Sequence, residues 1–392
     1  SGNSGDTGNS GNTGDTGDSG NTGNSGNTGD SGNTGNSGDT GDTKPDDDFD
    51  IGNTGDSGNT GNTGDTGNSG NTGDTGNSGN SGADGNVFCT GQTKCYNDTK
   101  VITCPTVGSS YYGQDGQYAM LGYCTPKSYI ISGTTTNEVV TDNNTGLIWQ
   151  RYLIGTYDGC TAGSFPTAKS LCTWQEAINY CNKLSYAGQT DWRLPNAKEL
   201  ATLTNYAGND PTIDTAIFEH IKSATYWSSL SKVDSTTFAW AMDFSSGVMA
   251  PETKTVGFKA FCVRGDSVTD SMFIESTTAG KVIVSDTTTG LIWQKEYTSN
   301  IWVNALSYCE NSTYAGYSDW RLPNIVELRT LIDDSKSNPA SNFPGMPSNF
   351  FWSSSSILDY PYSHNAWSVD FASSKMEHSN KKENAYYVRC VR

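Results

Sequence analysis

Three kinds of side chain in this sequence could do chemistry: cysteine, histidine, and an Asp-Trp-Arg triplet that occurs twice. All ten cysteines lie between Cys89 and Cys390, and no two of them are spaced as CxxC. An even number of cysteines without the close pairs of a zinc site favours disulfides over metal binding. Disulfides require an oxidising compartment, so we expect an extracellular protein, secreted or held at the cell surface.

A recurrence along the chain predicts two long-range disulfides. Cys181 and Cys309 follow apolar residues at helical spacing, and Cys262 and Cys390 each lie in the last strand-like run of a repeated segment. We therefore expect Cys181 to pair with Cys262, and Cys309 with Cys390. Among the remaining cysteines we expect two local pairs, Cys160–Cys172 and Cys95–Cys104. These leave Cys89 to pair with Cys124.

The triplets Asp191-Trp192-Arg193 and Asp319-Trp320-Arg321 recur, whereas His220, His364 and His378 have no counterparts in the repeated segment. A histidine-based catalytic triad or zinc site is therefore not expected. An arginine beside an aspartate could orient a substrate. We favour a structural interpretation, in which each arginine forms an internal ion pair and each tryptophan fills the core. We expect no catalytic residue and no resident cofactor.

The elements that position these residues also occur twice. Residues 139–150 and 283–294 each contain two β-rich runs around an Asp…Gly turn, and an amphipathic helical pattern follows. Asn196 with Glu199, and Asn324 with Glu327, have the spacing of a capping box, so each copy should begin a second short helix there. Strand-like runs rich in Trp and Ser complete each copy. The pattern predicts two α+β domains in tandem.

The ordered motifs TGLIWQ, AxxYC, DWRLP, WSS and CVR resemble the Lcl C-terminal domain family, named for the Legionella collagen-like adhesin. They define a first copy at 127–266 and a second copy at 271–392. Gly91–Tyr96 with Tyr111–Asp115 is similar to a small disulfide module that often precedes such domains, here 88–126. The resemblance implies C-type-lectin-like heads, stabilised by disulfides, on a collagen-like homotrimer.

The first 87 residues form a glycine-rich repeat that differs in composition from the rest of the chain. Glycine occupies every third position over 2–43 and 52–87, giving 26 triplets around a break at 44–51. This periodicity is the requirement of a collagen-like triple helix of polyproline-II chains, because only glycine fits at its axis. No triplet contains proline, however. A flexible Gly/Asn/Ser linker and a packed array of polyproline-II strands are the alternatives to this triple-helical stalk.

Ser or Thr fills the third position in 24 of the 26 triplets, and in a triple helix these hydroxyls point outward. We expect O-glycosylation of the stalk to compensate for the missing proline. The break is acidic, and its aspartates are candidate calcium ligands, although a solvated joint is the interpretation that we favour. The candidate glycosylation sites are Thr7, Thr13, Thr16, Thr22, Thr28, Thr54, Thr60, Thr63, Thr66 and Thr72, and the candidate metal ligands are Asp46, Asp47, Asp48 and Asp50.

Charge and hydropathy exclude two classes of protein. The net charge of the 392 residues is −18, of which 14 Asp and one Lys in residues 1–87 supply −13. This balance excludes a basic nucleic-acid binder, and no apolar stretch reaches the ~20 residues of a membrane span. Tyr157 and Tyr360-Pro361-Tyr362 are candidates for stacking on sugars, although a place in the core is the interpretation that we favour for each. Lys375, Lys381 and Lys382 form the one evident basic cluster of the second copy, and we do not expect it to bind polyanions.

Together these observations predict a non-enzymatic, fibre-forming structural and adhesive protein. Its partners would be two further copies in a homotrimer, neighbouring trimers in a head-to-tail filament, and extracellular glycans. The alternative is a discrete carbohydrate-binding adhesin in which the stalk serves only as a spacer.

Overall fold

The computed structural model describes residues 89–392 except 123, 154, 164–167, 209, 358–363 and 382–383. The glycine repeat of residues 1–87 lies outside the described residues, together with the glycosylation candidates and the aspartates of its break. Tyr360, Pro361, Tyr362 and Lys382 lie outside them as well.

The small module consists of short elements tied together by disulfides. Strands β1 (Cys95–Tyr96) and β2 (Val101–Ile102) form an antiparallel hairpin, and helix α1 spans Asp115–Met120. Two disulfides, Cys89–Cys124 and Cys95–Cys104, close the module. Strands of this length are marginal in isolation, so the disulfides hold these elements in place.

The first copy contains two antiparallel sheets and two helices. One sheet has the order β3-β4-β5-β9 and the other β6-β7-β8. The strands are β3 (Tyr129–Ser132), β4 (Val139–Asp142), β5 (Ile148–Gln150), β6 (Thr225–Ser231), β7 (Phe238–Asp243), β8 (Val248–Thr253) and β9 (Val263–Arg264). The helices are α2 (Trp174–Lys183) and α3 (Ala197–Thr202).

The second copy repeats this plan with a larger second sheet. The order of its sheets is β10-β11-β12 and β13-β17-β14-β15-β16, and β14 pairs with β17 in parallel. The strands are β10 (Phe273–Thr278), β11 (Lys281–Asp286), β12 (Ile292–Gln294), β13 (Thr298–Asn300), β14 (Phe350–Ser356), β15 (Asn365–Asp370), β16 (Lys375–Asn380) and β17 (Tyr386–Val388). The helices are α4 (Trp302–Glu310) and α5 (Ile325–Thr330).

Local sequence signals explain where these elements begin and turn. Helices α3 and α5 start at Asn196 and Asn324, and both have complete capping boxes with Glu199 and Glu327, as predicted. The turn before β5 places Gly146 at a φ of 74°, and the turn before β12 places Gly290 at 77°. Only glycine adopts this left-handed region without strain, which accounts for the Asp…Gly signature of both copies.

One of three hydrophobic clusters spans the two copies, and each copy also has a cluster of its own. A single cluster of buried side chains contains Trp149 and Phe261 of the first copy and Trp293 of the second. Tyr206 of the first copy packs edge-on against Trp367 of the second, with ring centroids 5.2 Å apart. The copies therefore form one continuous α+β body of small sheets and few helices, with three disulfides inside the copies and two in the small module. No helix in the described part of the chain has the length and apolarity needed to cross a bilayer.

Candidate functional site

Each copy builds the same buried ion pair from its Asp-Trp-Arg triplet, which we term the arginine clasp (Arg193 with Glu199, Arg321 with Glu327). Arg193 donates to both carboxylate oxygens of Glu199 at 2.7 and 2.8 Å, and Arg321 to those of Glu327 at 2.6 and 2.6 Å. Both glutamates are fully buried. The same carboxylates also accept the backbone N–H that completes each capping box, so several charge-assisted hydrogen bonds compensate for their burial.

The other members of the triplets are also occupied. Arg264 donates to both oxygens of Asp191 at 2.8 and 2.9 Å, and Arg392 donates through Nε to Asp319 at 2.7 Å. Trp192 and Trp320 are buried, and each donates its indole N–H to a backbone carbonyl of its own copy. These are the contacts that a structural role requires, and they leave neither triplet arginine free to orient a substrate.

All ten cysteines are paired in the structure, and the pairs are those that the sequence predicts. Cys181–Cys262 and Cys309–Cys390 each join the first helix of a copy to its last strand-like segment. Cys160–Cys172 lies between β5 and α2 of the first copy and has no counterpart in the sequence of the second copy. The paired cysteines offer no thiol for nucleophilic or redox chemistry.

The small module packs against the second copy, although the first copy follows it in the sequence. Asp115 accepts hydrogen bonds from the hydroxyls of Ser355 at 2.6 Å and Thr90 at 2.7 Å. The side chain of Gln92 bonds to both the N–H and the C=O of Ser356, at 3.1 and 2.6 Å. Sequence reasoning missed this interface. Its signal is the serine run at Ser353–Ser356, where the first copy carries a leucine, Leu230.

Burial at this interface perturbs two ionisable groups. It raises the pKa of Asp115 to about 6, because loss of solvent outweighs the hydrogen bonds from Ser355 and Thr90. It lowers the pKa of Lys381 to about 7. Lys381 lies 4.0 Å from the centre of the Trp302 ring and donates to Ser356 Oγ at 3.0 Å. Lys381 is therefore buried and does not contribute to a basic surface patch.

A cavity of about 350 Å³ lies between the two copies, and we term it the inter-copy cleft. Its walls come from corresponding positions of the two copies and from the segment that connects them. The corresponding pairs are Asn144 and Thr288, Thr145 and Thr289, Lys198 and Val326, Ala201 and Arg329, and Thr202 and Thr330, and the connecting segment adds Asp266–Thr269 and Ser271. The duplication thus creates a pocket that a single copy would not have.

The two positively charged side chains of the cleft lining, Lys198 and Arg329, are each paired with a carboxylate. Lys198 contacts Asp270 at 2.7 Å, and Arg329 donates through Nη2 to Asp334 at 2.8 Å. Arg329 is 5% exposed, and its Nε and Nη1 have no hydrogen-bond partner among the described residues. Arg329 therefore combines a positive charge with two buried donors that have no partner in the described part of the chain.

The remaining predicted site residues are not brought together. Tyr157 is 2% exposed and packs edge-on against Tyr180, so it is a core residue, as favoured, and does not offer a ring for stacking on sugars. His220 lies beside Glu219, with Nε2 3.1 Å from a carboxylate oxygen. Within the described ranges no group of three or more His, Cys, Asp or Glu side chains is arranged to hold a metal ion.

Comparison with known proteins supports the resemblance drawn from the motifs. The family model of the Lcl C-terminal domain matches residues 138–264 and 282–392, one match in each copy. A search of curated proteins finds no match. Because the two matches together span more than half of the chain and carry the clasps, the capping boxes and the long-range disulfides, the chain belongs to the Lcl C-terminal domain family.

Proposed function

We propose that this protein is a non-enzymatic extracellular structural and adhesive protein that assembles into fibres. Residues 1–87 form a collagen-like, O-glycosylated triple-helical stalk, and the C-type-lectin-like copies form the heads of a homotrimer. The observation that carries the proposal is that one chain contains both 26 glycine triplets and two Lcl C-terminal domains. Five disulfides support an extracellular location.

The absence of enzymatic activity is part of this proposal. It is supported by the use of the recurring polar residues in structure. Both triplet arginines are bonded to buried glutamates, and all ten cysteines are paired. A net charge of −18 disfavours nucleic acid as a partner. A structural calcium ion at the acidic break of the stalk stays a prediction.

Light scattering of the purified chain tests the homotrimer directly. We expect a mass three times that of the chain for the full-length protein, together with larger head-to-tail assemblies. A protein beginning at residue 88 should be monomeric, because the proposal places the trimerising segment in the stalk. A monomeric full-length chain would contradict the triple helix and would favour the flexible-linker interpretation of residues 1–87.

The second candidate function is a discrete carbohydrate-binding adhesin whose stalk is a spacer. The inter-copy cleft favours it, because the cleft is an interdomain pocket of a size that small ligands occupy. The two candidates differ in whether trimers polymerise, and both assign binding to the heads.

A further inference from the structure

We propose that the inter-copy cleft binds a neutral saccharide of one or two rings. This inference deepens the adhesive part of the proposed function and rests on it. The cavity volume of about 350 Å³ lies at the low end of the roughly 300–1,000 Å³ that small-molecule sites occupy, and such sites favour domain interfaces. The location and size of the cleft thus suit a small ligand rather than a long polymer.

The lining offers the hydrogen-bonding capacity that sugars need. Eight of its residues are Ser or Thr, distributed over both copies and the connecting segment. Thr202 and Thr330 donate their hydroxyl hydrogens to backbone carbonyls at 2.7 Å, which leaves their oxygens as acceptors. Ser267 and Thr269 are exposed on the connecting segment. A sugar hydroxyl both donates and accepts, and this lining can satisfy both functions.

Apolar side chains provide the second requirement, a surface for the C–H groups of a sugar ring. Ala201, Val268 and Val326 line the cleft, and so does the aromatic side chain of Tyr206. These residues come from α3, the connecting segment and α5, so apolar surface is available on more than one wall. The lining therefore offers both hydrogen-bonding groups and apolar surface, and a sugar ring presents both hydroxyl and C–H groups.

Arg329 supplies the specific contact. Its Nε and Nη1, and Oδ1 of its partner Asp334, are buried and have no hydrogen-bond partner among the described residues. Leaving a buried polar group unsatisfied is unfavourable, and more so for a charged group. Arg329 lines the cleft, whereas Asp334 does not, so the specific contact is a sugar hydroxyl that accepts from the guanidinium.

The charge balance selects a neutral ligand over an acidic one. Lys198 and Arg329 are each already paired with a carboxylate, and Asp266 adds a further negative charge to the lining. An anionic sugar would have to compete with Asp334 for the guanidinium and would be repelled by Asp266. A neutral sugar meets neither obstacle.

Saturation-transfer NMR and titration calorimetry on the full-length chain test the proposal. The probes are glucose, galactose, mannose and lactose, together with glucuronate and galacturonate as the charged counterparts of two of them. We expect at least one neutral sugar to bind, and each uronic acid to bind more weakly than its neutral counterpart. Binding of no neutral sugar, or tighter binding of the uronic acids, would overturn the proposal.

Bulky substitutions localise the binding to the cleft. Val326→Trp on α5 and Thr269→Trp on the connecting segment should each abolish it by filling the cavity. Val303→Trp is the matched control, because Val303 is equally half-buried on α4 and does not line the cleft. Arg329→Lys should weaken binding about tenfold or more, since it keeps the charge beside Asp334 and loses the donors at Nε and Nη1.

Circular dichroism verifies that each variant is folded, and Thr269→Trp replaces Val326→Trp if the buried substitution prevents folding. Undiminished binding by both folded cleft variants would overturn the assignment. Electron microscopy of the same variants distinguishes failure of the sugar-binding proposal from failure of the fibre proposal. Intact filaments without sugar binding reject the cleft alone, whereas absent filaments in the wild type reject the fibre proposal.

Discussion

At the scale of single residues, one buried glutamate organises each copy. Glu199 receives the forked guanidinium of Arg193 and the backbone N–H groups of Asn196 and Val268. It thereby joins the triplet to the start of α3 and to the segment between the copies. Glu327 plays the same part in the second copy with Arg321 and Asn324. The triplet arginine and its glutamate thus serve the stability of the fold. They resemble a reaction centre in residue type, but their polar atoms are occupied by hydrogen bonds within the protein.

Replacing this glutamate should destabilise the protein strongly. We expect Glu199→Ala to lower the free energy of unfolding by about 3–5 kcal/mol, because it leaves a partly buried guanidinium and two N–H groups without their acceptor. The control is Glu219→Ala, since Glu219 is half-exposed and its ion pairs should contribute less than about 1 kcal/mol. Denaturant unfolding measures both values. Equal effects would mean that the clasp contributes little to stability.

Asp115 should make the stability of the head depend on pH. Its pKa is about 6 in the folded protein, above the ordinary aspartate value, so the folded state binds more protons between pH 4 and 6. Stability should therefore fall as pH rises through this window and level off above it, by about 3 kcal/mol in all. Asp115→Asn should remove the slope in denaturant titrations between pH 4 and 7. An unchanged slope would show that Asp115 is not the group responsible.

Lys381 should act in the opposite direction at higher pH. Because burial lowers its pKa from the ordinary lysine value to about 7, the unfolded chain binds more protons between pH 7 and 10.5. Stability should rise with pH over that window, and the rise should disappear in Lys381→Met. The Asp115 effect lowers stability up to pH 6, and the Lys381 effect raises it above pH 7. Both groups lie at the interface between the small module and the second copy, so their combined contribution to stability should be lowest near neutral pH.

At the scale of elements, local signals could be predicted and long-range packing could not. The starts of α3 and α5 were predictable, because a capping box lies within four residues and requires no distant partner. The docking of α1 on β14 joins Asp115 to Ser355 across 240 residues. The sequence around Asp115 gives no sign that its partner is Ser355, and the sequence around Ser355 gives no sign of Asp115. The burial of Tyr157 and Lys381 has the same cause, since both are covered by segments remote in sequence.

The inter-copy cleft was unpredictable for a related reason. The duplication reveals that Ala201 corresponds to Arg329, and Thr202 to Thr330. It does not reveal that these positions face one cavity, because that depends on how the two copies pack. The long-range disulfides, by contrast, recur in both copies and could be inferred from that recurrence.

Peptide mapping under non-reducing conditions tests the disulfides. We expect Cys181 linked to Cys262 and Cys309 to Cys390, with each bond enclosing a sequence separation of 81 residues. In the chain-entropy model a loop of that size stabilises the fold by about 4 kcal/mol. A peptide joining Cys181 to Cys309, or a free thiol at either, would contradict the assignment of one such bond to each copy.

At the scale of the whole molecule, the chain joins a repeat that is almost free of apolar residues to a disulfide-stabilised head whose two copies share a hydrophobic cluster. The repeat carries −13 of the net charge of −18. Repulsion between such chains opposes random association, so assembly requires a specific contact. A stalk tip and a head are unlike surfaces, and contacts between unlike surfaces that do not close into a ring propagate into filaments.

Intact-mass measurement tests the modification of the stalk. We expect a mass above the 41.9 kDa of the polypeptide by many hexose units, all on peptides from residues 1–87. Sugars on the third-position hydroxyls would supply stabilisation that proline provides in other triple helices. An unmodified stalk that nevertheless melts cooperatively would reject glycosylation while leaving the triple helix in place.

The central claim is that stalk and heads together build a fibre, and electron microscopy of the full-length chain beside residues 88–392 tests it most directly. The account predicts filaments for the full-length protein, with an axial repeat set by a stalk on the order of 270 Å long. It predicts none for 88–392, which lacks the stalk. Polymerisation of 88–392 alone, or full-length trimers that stay discrete at high concentration, would contradict it.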